Sequence, residues 1–383
     1  MSQPEVIVLG LGGVGSAALH HVASRGKRVL GIDRFPDGHD RGSSHGQTRV
    51  IRQAYFEHPD YVPLLREAYR WWHRLEAEVD ERLFHQVGLL QVGSPEGVVI
   101  SGVRQAAQTH GLEIEELDAE AIRPRFPGVA VGADDVGLFE SQAGYLMVER
   151  CVLAHLRAAR QAGAQTLTDR QAVGWESTPA GVVVRTDNGE TFCADRLILA
   201  PGAWAGDLLG DLGVQLRVLR KHLHWYAVDE TVYQQANGFS TFMFEVPEGI
   251  FYGFPAFDSL GLKVAEHTGG ELVDDPLNVS RSPDPEDDGR VRDFLDCYLP
   301  YVGTQRTRHA TCLYTMSPDE HFLLDRHPRD ERVAFAAGLS GHGFKFASVL
   351  GQALADLAID GGSELPIDFL SLGRFQDRSS VND

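Results

Sequence analysis

The stretch from Glu5 to Asp33, EVIVLGLGGVGSAALHHVASRGKRVLGID, constrains the fold more than any other part of this chain. Glu5 to Leu9 is a short, β-branched apolar run and reads as a buried strand. Small residues follow at once and open a helix that ends near Gly26. RVLGID reads as a second strand, which closes a βαβ unit of about 30 residues. Gly10, Gly12 and Gly15 fit the GxGxxG pattern, and Asp33 ends the second strand. Such glycines let backbone approach a pyrophosphate, the helix N-terminus adds partial positive charge, and the acid binds a ribose hydroxyl. The unit therefore predicts a dinucleotide site but does not distinguish FAD from NAD.

At 383 residues with 43% hydrophobic content, the chain is long enough for about two domains. The expected class is α/β, α+β overall. A Rossmann-like dinucleotide domain would be assembled from residues 1–85, 145–218 and 311–383. A β-rich substrate domain would come from 86–144 and 219–310. Tyr61–Val79 places Leu64, Leu65, Ala68, Trp71, Trp72 and Leu75 on one helical stripe. Leu146–Ala162 reads as another amphipathic helix. GVVVRTDNGETFCAD is a hairpin about Asn-Gly. After Val218 come aromatic-rich strands, then DDPLNVSRSPDPEDDGR, residues 274–290, expected as a surface connection. RVAFAAG returns to a buried strand, and a glycine turn leads into a final helix.

The net charge of −19 argues against a nucleic-acid partner. It also means that an anionic substrate requires local cations. No run approaches the ~18 apolar residues of a membrane helix, and the N-terminus has no leader pattern. Cys151, Cys193, Cys297 and Cys312 form no CxxC pair and no disulfide framework. A reducing, cytoplasmic setting is expected. Cys151 and Cys193 read as structural, and Cys297 takes no role. Cys312 differs, because its segment ATCLYTMSPDEHFLLD is polar at one end, a setting that suits a reactive thiol. GSSHGQTRVIR, Gly42 to Arg52, reads as a polar loop near the crevice with two arginines. In SGHGFKFAS, Gly341 and Gly343 flank His342 and permit close approach to a flat cofactor.

Several segments together resemble the family of monomeric sarcosine oxidase and N-methyltryptophan oxidase. They are GSSHGQTRVIRQAY, FMFEVPEGIFYGFP, LGLKVAEHTGG, ATCLYTMSPDEHFLLD and AAGLSGHGFKFASVLG, and the likeness runs from about residue 4 to about residue 372. The resemblance implies an FAD enzyme that oxidises an N-methyl amino acid, sarcosine first, with oxygen as acceptor. It implies a flavin bonded to Cys312 and a monomer. Arg52 and Lys345 match the pair that grips the substrate carboxylate. Lys263 matches a lysine implicated in oxygen activation, and His267 a histidine beside the substrate. Tyr252, Tyr314 and Met243 match pocket walls, while His45, Thr48 and Arg49 match residues around the flavin. Ser44 stands where the family often has histidine, Gln47 where it often has an acid, and Glu266 is unusual. Other readings remain at this level: an oxidase of N-methyltryptophan or another secondary amino acid, an NAD-dependent dehydrogenase, a non-catalytic flavin-binding protein, and a flavin dehydrogenase that passes electrons to a protein.

Overall fold

A computed structural model describes residues 3–229 and 231–376. Its nucleotide-binding layer is a six-stranded sheet. Strand order is Leu323–His327, Asp330–Ala337, Arg196–Leu199, Val6–Leu9, Val29–Ile32, Gln165–Leu167. All pairings are parallel except the first, which is an antiparallel hairpin. Val6–Leu9 and Val29–Ile32 are wholly apolar and buried, as expected for inner strands of a parallel sheet covered on both faces. Helices Gly13–Ser24, Val148–Gln161 and Ala347–Ile359 supply one cover. The other cover is the three-stranded sheet Ala172–Thr178, Gly181–Thr186, Thr191–Ala194.

A nine-stranded sheet forms the second layer. At its centre Thr241–Val246 and Leu262–Glu266 both run antiparallel to Gly249–Phe254, which lies between them. Thr241–Val246 also pairs in parallel with Leu89–Gly93. On the other side the long strands Arg217–Tyr226 and Arg306–Met316 form one antiparallel ladder. The sequence borders at 218/219 and 310/311 fall within those two strands. Phe242, Phe244, Phe251 and Phe294 pack on the face of this sheet that helix Pro285–Tyr298 covers.

Helix Tyr61–Val79 has the expected limits and buries Leu64, Leu65, Ala68, Trp72 and Leu75. Trp71 sits at the edge of that stripe, partly exposed, with its indole N–H donated to Gln352. Four other expectations are corrected. The segment around Thr48 and Arg49 is a strand, Thr48–Ile51, because its β-branched residues pair with Gly144–Met147. That pairing also delays the next helix to Val148. The 274–290 segment is not connection throughout. Asp284 accepts hydrogen bonds from Glu286 N and Asp287 N and caps helix Pro285–Tyr298. Proline at the first position and acids in the first turn favour that start. Cys193 lies exposed in its edge strand, so it is no core thiol. Cys151 and Cys312 are buried and Cys297 is exposed.

No helix among the described residues is long and apolar enough to cross a membrane. Nor is any group of three or more His, Cys, Asp or Glu side chains among them arranged to hold a metal ion.

Candidate active site

Two adjoining cavities lie between the layers. The larger, about 1300 Å³, follows the carboxyl ends of the nucleotide-binding strands. Gly10, Gly12, Asp33, Gly341 and Gly343 line it. Gly10 has φ +86°, and a Cβ there would lie 2.3 Å from Ala200 O. A Cβ on Gly15 would lie 1.7 Å from Gly10 O, so that glycine seats the helix against the strand. Asp33 accepts backbone N–H bonds from Leu11 (2.6 Å) and Phe35 (2.8 Å), which holds the turn closed. Burial outweighs those bonds and raises its carboxyl above the usual range.

Unsatisfied donors surround this cavity. Arg34 Nη1 and Trp204 Nε1 are buried without a partner, and Arg34 and Trp204 both line the space. The Arg34 guanidinium stands 5.3 Å over the Trp204 ring. His45 Nε2 is buried and unpartnered too. Burial, then the neighbouring Arg49, lowers His45 to about 4, so it is neutral at pH 7. A glycine turn that no side chain can fill, a helix N-terminus and free donors around one cavity together fit a dinucleotide such as FAD.

The smaller cavity, about 460 Å³, shares Arg49, Tyr314, Gly341 and Phe344 with the larger one. Strand pairing builds its wall. Met243 faces Tyr252 across one ladder, and Leu219 faces Tyr314 across another. Tyr252 and Tyr314 bring their hydroxyls to 3.5 Å. A Cβ on Gly341, φ +79°, would lie 2.3 Å from the Tyr314 ring, so glycine lets the loop close on that wall. His267 stands beside both tyrosines, with ring centroids 6.3 and 5.9 Å away. Burial lowers it to about 3 and raises both phenols. The wall is therefore neutral.

The opposite side is cationic. Arg52 is 1% exposed and its guanidinium packs 4.4 Å over Tyr55. Lys345 donates to His342 O at 2.9 Å. Burial, then the Arg52 charge, lowers Lys345 to about 7. The residue that sequence reasoning missed is Glu57, whose two carboxylate oxygens accept from Arg52 Nη2 at 2.7 and 2.8 Å. Burial alone would raise this carboxyl, but Arg52, then His342 and Lys345, hold it at about 2. The signal was an acid five residues after an arginine in a segment with no helical or strand period. Spacing alone does not read it.

Arg49 bridges the two cavities. It donates to Thr48 O, to Ser43 O, and at 3.1 Å to Cys312 Sγ. Burial opposes its charge, but Cys312 and the two tyrosines outweigh that and raise it. Cys312, His45 and Thr48 lie just behind the cavity walls. Lys263 also lies behind them, with Nζ donating to Gly46 O (2.6 Å), Thr48 O (2.8 Å) and Thr48 Oγ1 (3.2 Å). Burial, then Arg49, pushes its ammonium well below the usual range. Gln47 has φ +71° and ties the loop to Asp258 and Trp225. Ser44 Oγ accepts from Gly13 N at 2.9 Å, so it caps the nucleotide-binding helix. Glu266 faces away from the cavity and pairs with Arg290 at 2.8 Å.

Known proteins share this sequence and fold. The chain matches the FAD dependent oxidoreductase family over residues 5–357. It is 38% identical over 374 residues to monomeric sarcosine oxidase of Arthrobacter sp. (strain TE1826), covering 97% of this chain and 96% of that protein. It is 39% identical over 376 residues to N-methyl-L-tryptophan oxidase of Yersinia pestis (strain Pestoides F), covering 97% and 99%. Among solved structures, the open form of NikD, an unusual amino acid oxidase essential for nikkomycin biosynthesis, superposes with TM-score 0.84 at 26% identity, covering 97% and 98%. With a dinucleotide cradle in the fold and near-complete alignment to these oxidases, the chain belongs to the FAD dependent oxidoreductase family, in the branch that holds monomeric sarcosine oxidase and N-methyl-L-tryptophan oxidase.

Proposed function

We propose that the protein is an FAD-dependent oxidase of N-methyl amino acids, with sarcosine as first substrate. The reaction is sarcosine + O2 + H2O → glycine + formaldehyde + H2O2. The observation that carries this reading is the small cavity with two buried cations, Arg52 and Lys345, facing a neutral wall of Met243, Tyr252, His267 and Tyr314. A planar guanidinium and an ammonium together suit one carboxylate. In an acidic protein this is the local positive site an amino-acid anion requires.

Arg52 releases Glu57 as the substrate carboxylate arrives, and Lys345 supplies the second contact. The carboxylate's charge draws a proton onto Lys345, which stands near its titration point. The amine must enter neutral to lose electrons from its methyl carbon. No strong base faces it, since His267 is too weak and both tyrosines stay protonated. Selection replaces deprotonation: Arg49, Arg52 and Lys345 disfavour an ammonium and so favour the free amine. Bound FAD would supply the two-electron acceptor and pass the electrons to oxygen. Gly10, Gly12, Asp33, Gly341 and Gly343 would hold it, with His45, Thr48 and Arg49 near its reactive end. Water cleaves the product imine to formaldehyde and glycine.

Cys312 is the attachment point in this reading, and Arg49 at 3.1 Å supplies a counter-charge for its sulfur. Lys263, whose Nζ donates to Gly46 O and Thr48 O in the loop that carries His45 and Arg49, serves the oxygen half-reaction in this reading. Sarcosine is placed first because Met243, in a segment that resembles the sarcosine enzymes more, lines this cavity. A monomer in the cytoplasm is the expected setting, and two exposed free cysteines fit a reducing compartment. The test is oxygen uptake with formaldehyde and peroxide assays on sarcosine and N-methyl-L-tryptophan. Turnover of sarcosine that Arg52→Met cuts through KM supports the reading. Uptake with neither substrate sinks it.

A further inference from the structure

Gln91 is a polar side chain that nothing so far explains. It lies in strand Leu89–Gly93, is 0% exposed, and both amide atoms, Nε2 and Oε1, lack a hydrogen-bond partner. Its neighbours on that strand and across from it, Leu89, Leu138 and Met243, belong to an apolar cluster. Strand register fixes where it stands. Gln91 is opposite Met243 in the parallel ladder, Met243 is opposite Tyr252 in the next, and Leu138 flanks Gln91 on the far side. Opposed residues share a sheet face. Gln91 therefore lies on the face that looks into the small cavity, one strand beyond the Met243 that lines it.

We propose that Gln91 recognises an uncharged polar group on the substrate's nitrogen substituent. The preferred substrate class then extends from N-methyl amino acids to those with a longer N-substituent ending in a hydroxyl or carboxamide. This rests on the oxidase reading above. A buried amide with both ends free costs stability that leucine would not. It offers one acceptor and two donors, a match for a hydroxyl or an amide. A charged group would find no counter-charge there and would lose its hydration. In the ladder Met243 stands between Gln91 and the cavity, and its unbranched side chain re-packs readily. Neighbouring strands lie about 4.8 Å apart, and a two-carbon arm spans a gap of that order. The carboxylate stays on Arg52 and Lys345, which leaves the nitrogen end to face Met243.

For N-(2-hydroxyethyl)glycine the reaction balances as before. A C–H bond next to nitrogen breaks, C=N forms, oxygen takes the two electrons and two protons as H2O2, and water releases glycolaldehyde and glycine. The test compares kcat/KM for sarcosine, N-propylglycine and N-(2-hydroxyethyl)glycine in wild type, Gln91→Leu and Gln91→Met. Propyl and hydroxyethyl differ only in the terminal methyl or hydroxyl. The expected result is a wild-type preference for hydroxyethyl over propyl. Each variant loses that preference about tenfold, the effect of one hydrogen bond. Melting temperatures of the variants should equal or exceed wild type, because an orphaned amide has been removed. An unchanged hydroxyethyl-to-propyl ratio, or a variant that loses stability or fails to fold, overturns the proposal by making Gln91 a structural residue. Sarcosine turnover with no activity on either longer substrate overturns it alone. Inactivity on all three overturns the oxidase reading with it.

Discussion

Glu57→Gln is the perturbation whose consequences the structure specifies most fully. Glu57 is held at about 2 and is therefore ionised at any working pH. Both its oxygens bond Arg52, whose side chain is 2% exposed. A substrate carboxylate must take the same guanidinium, so in this account Glu57 is a competitor. Charge-assisted bonds contribute about 1.5–3 kcal/mol each, and glutamine keeps one neutral acceptor. Removing the charge should tighten sarcosine binding about tenfold, by roughly 1.4 kcal/mol. The same change strands a buried cation. Breaking such a pair costs about 3–5 kcal/mol, and the retained acceptor reduces this to roughly 2 kcal/mol. The substrate-free variant should melt several degrees lower and recover more than wild type on adding acetate. Glu57 also helps hold Lys345 up at about 7. Without it Lys345 loses its proton at lower pH, so the gain should be largest near pH 6 and shrink by pH 8. The assay is sarcosine KM against pH beside thermal melts with and without acetate. Weaker binding at pH 6 together with an unchanged melt would refute the competition argument.

Other outcomes follow from the same charges. Lys345→Met should raise KM for sarcosine at least tenfold while kcat changes less, with the difference fading above pH 7 as the wild-type lysine becomes neutral. Lys263→Met should slow reoxidation by air far more than anaerobic reduction in stopped-flow traces, and equal slowing of both removes its assigned role. Acid precipitation should leave yellow colour in the pellet for wild type and in the supernatant for Cys312→Ser. Released flavin from wild type would refute the link. Stability should fall with acid. Burial first lowers His21 and His267 to about 3, and His45 and His342 to about 4. Each stays neutral when folded but binds a proton when unfolded below about 6.5, so its contribution is present above that value and is lost toward pH 4. Each unit of pH in that window removes up to about 1.4 kcal/mol per histidine. Urea midpoints at pH 7 and pH 5 measure the loss, and equal midpoints would contradict it.

Legibility in the sequence followed the range of the interaction. The βαβ turn is local, so Gly10, Gly15 and Asp33 could be read from spacing, and the structure puts them at one cradle. Helix Tyr61–Val79 is periodic over its length and its limits were plain. The strand at Thr48–Ile51 was not, because only pairing with residues about a hundred positions later makes it one. Helix Pro285–Tyr298 was hidden by Pro and Asp, which are start signals as well as loop signals. In the site, the cations carried a motif, but their partners did not. Glu57 and Gln91 matter through what lies beside them in space: Arg52 for one, and the absence of any partner for the other.

The most direct measurement is an anaerobic titration of the purified, flavin-loaded protein with sarcosine, followed by air. The flavin absorbance should bleach fully, one formaldehyde should form per flavin, and air should restore the colour with one H2O2. Arg52→Met should need far more sarcosine for the same bleaching. A flavin spectrum that no N-methyl amino acid perturbs, at concentrations well above those that saturate carboxylate binding, would contradict the oxidase reading.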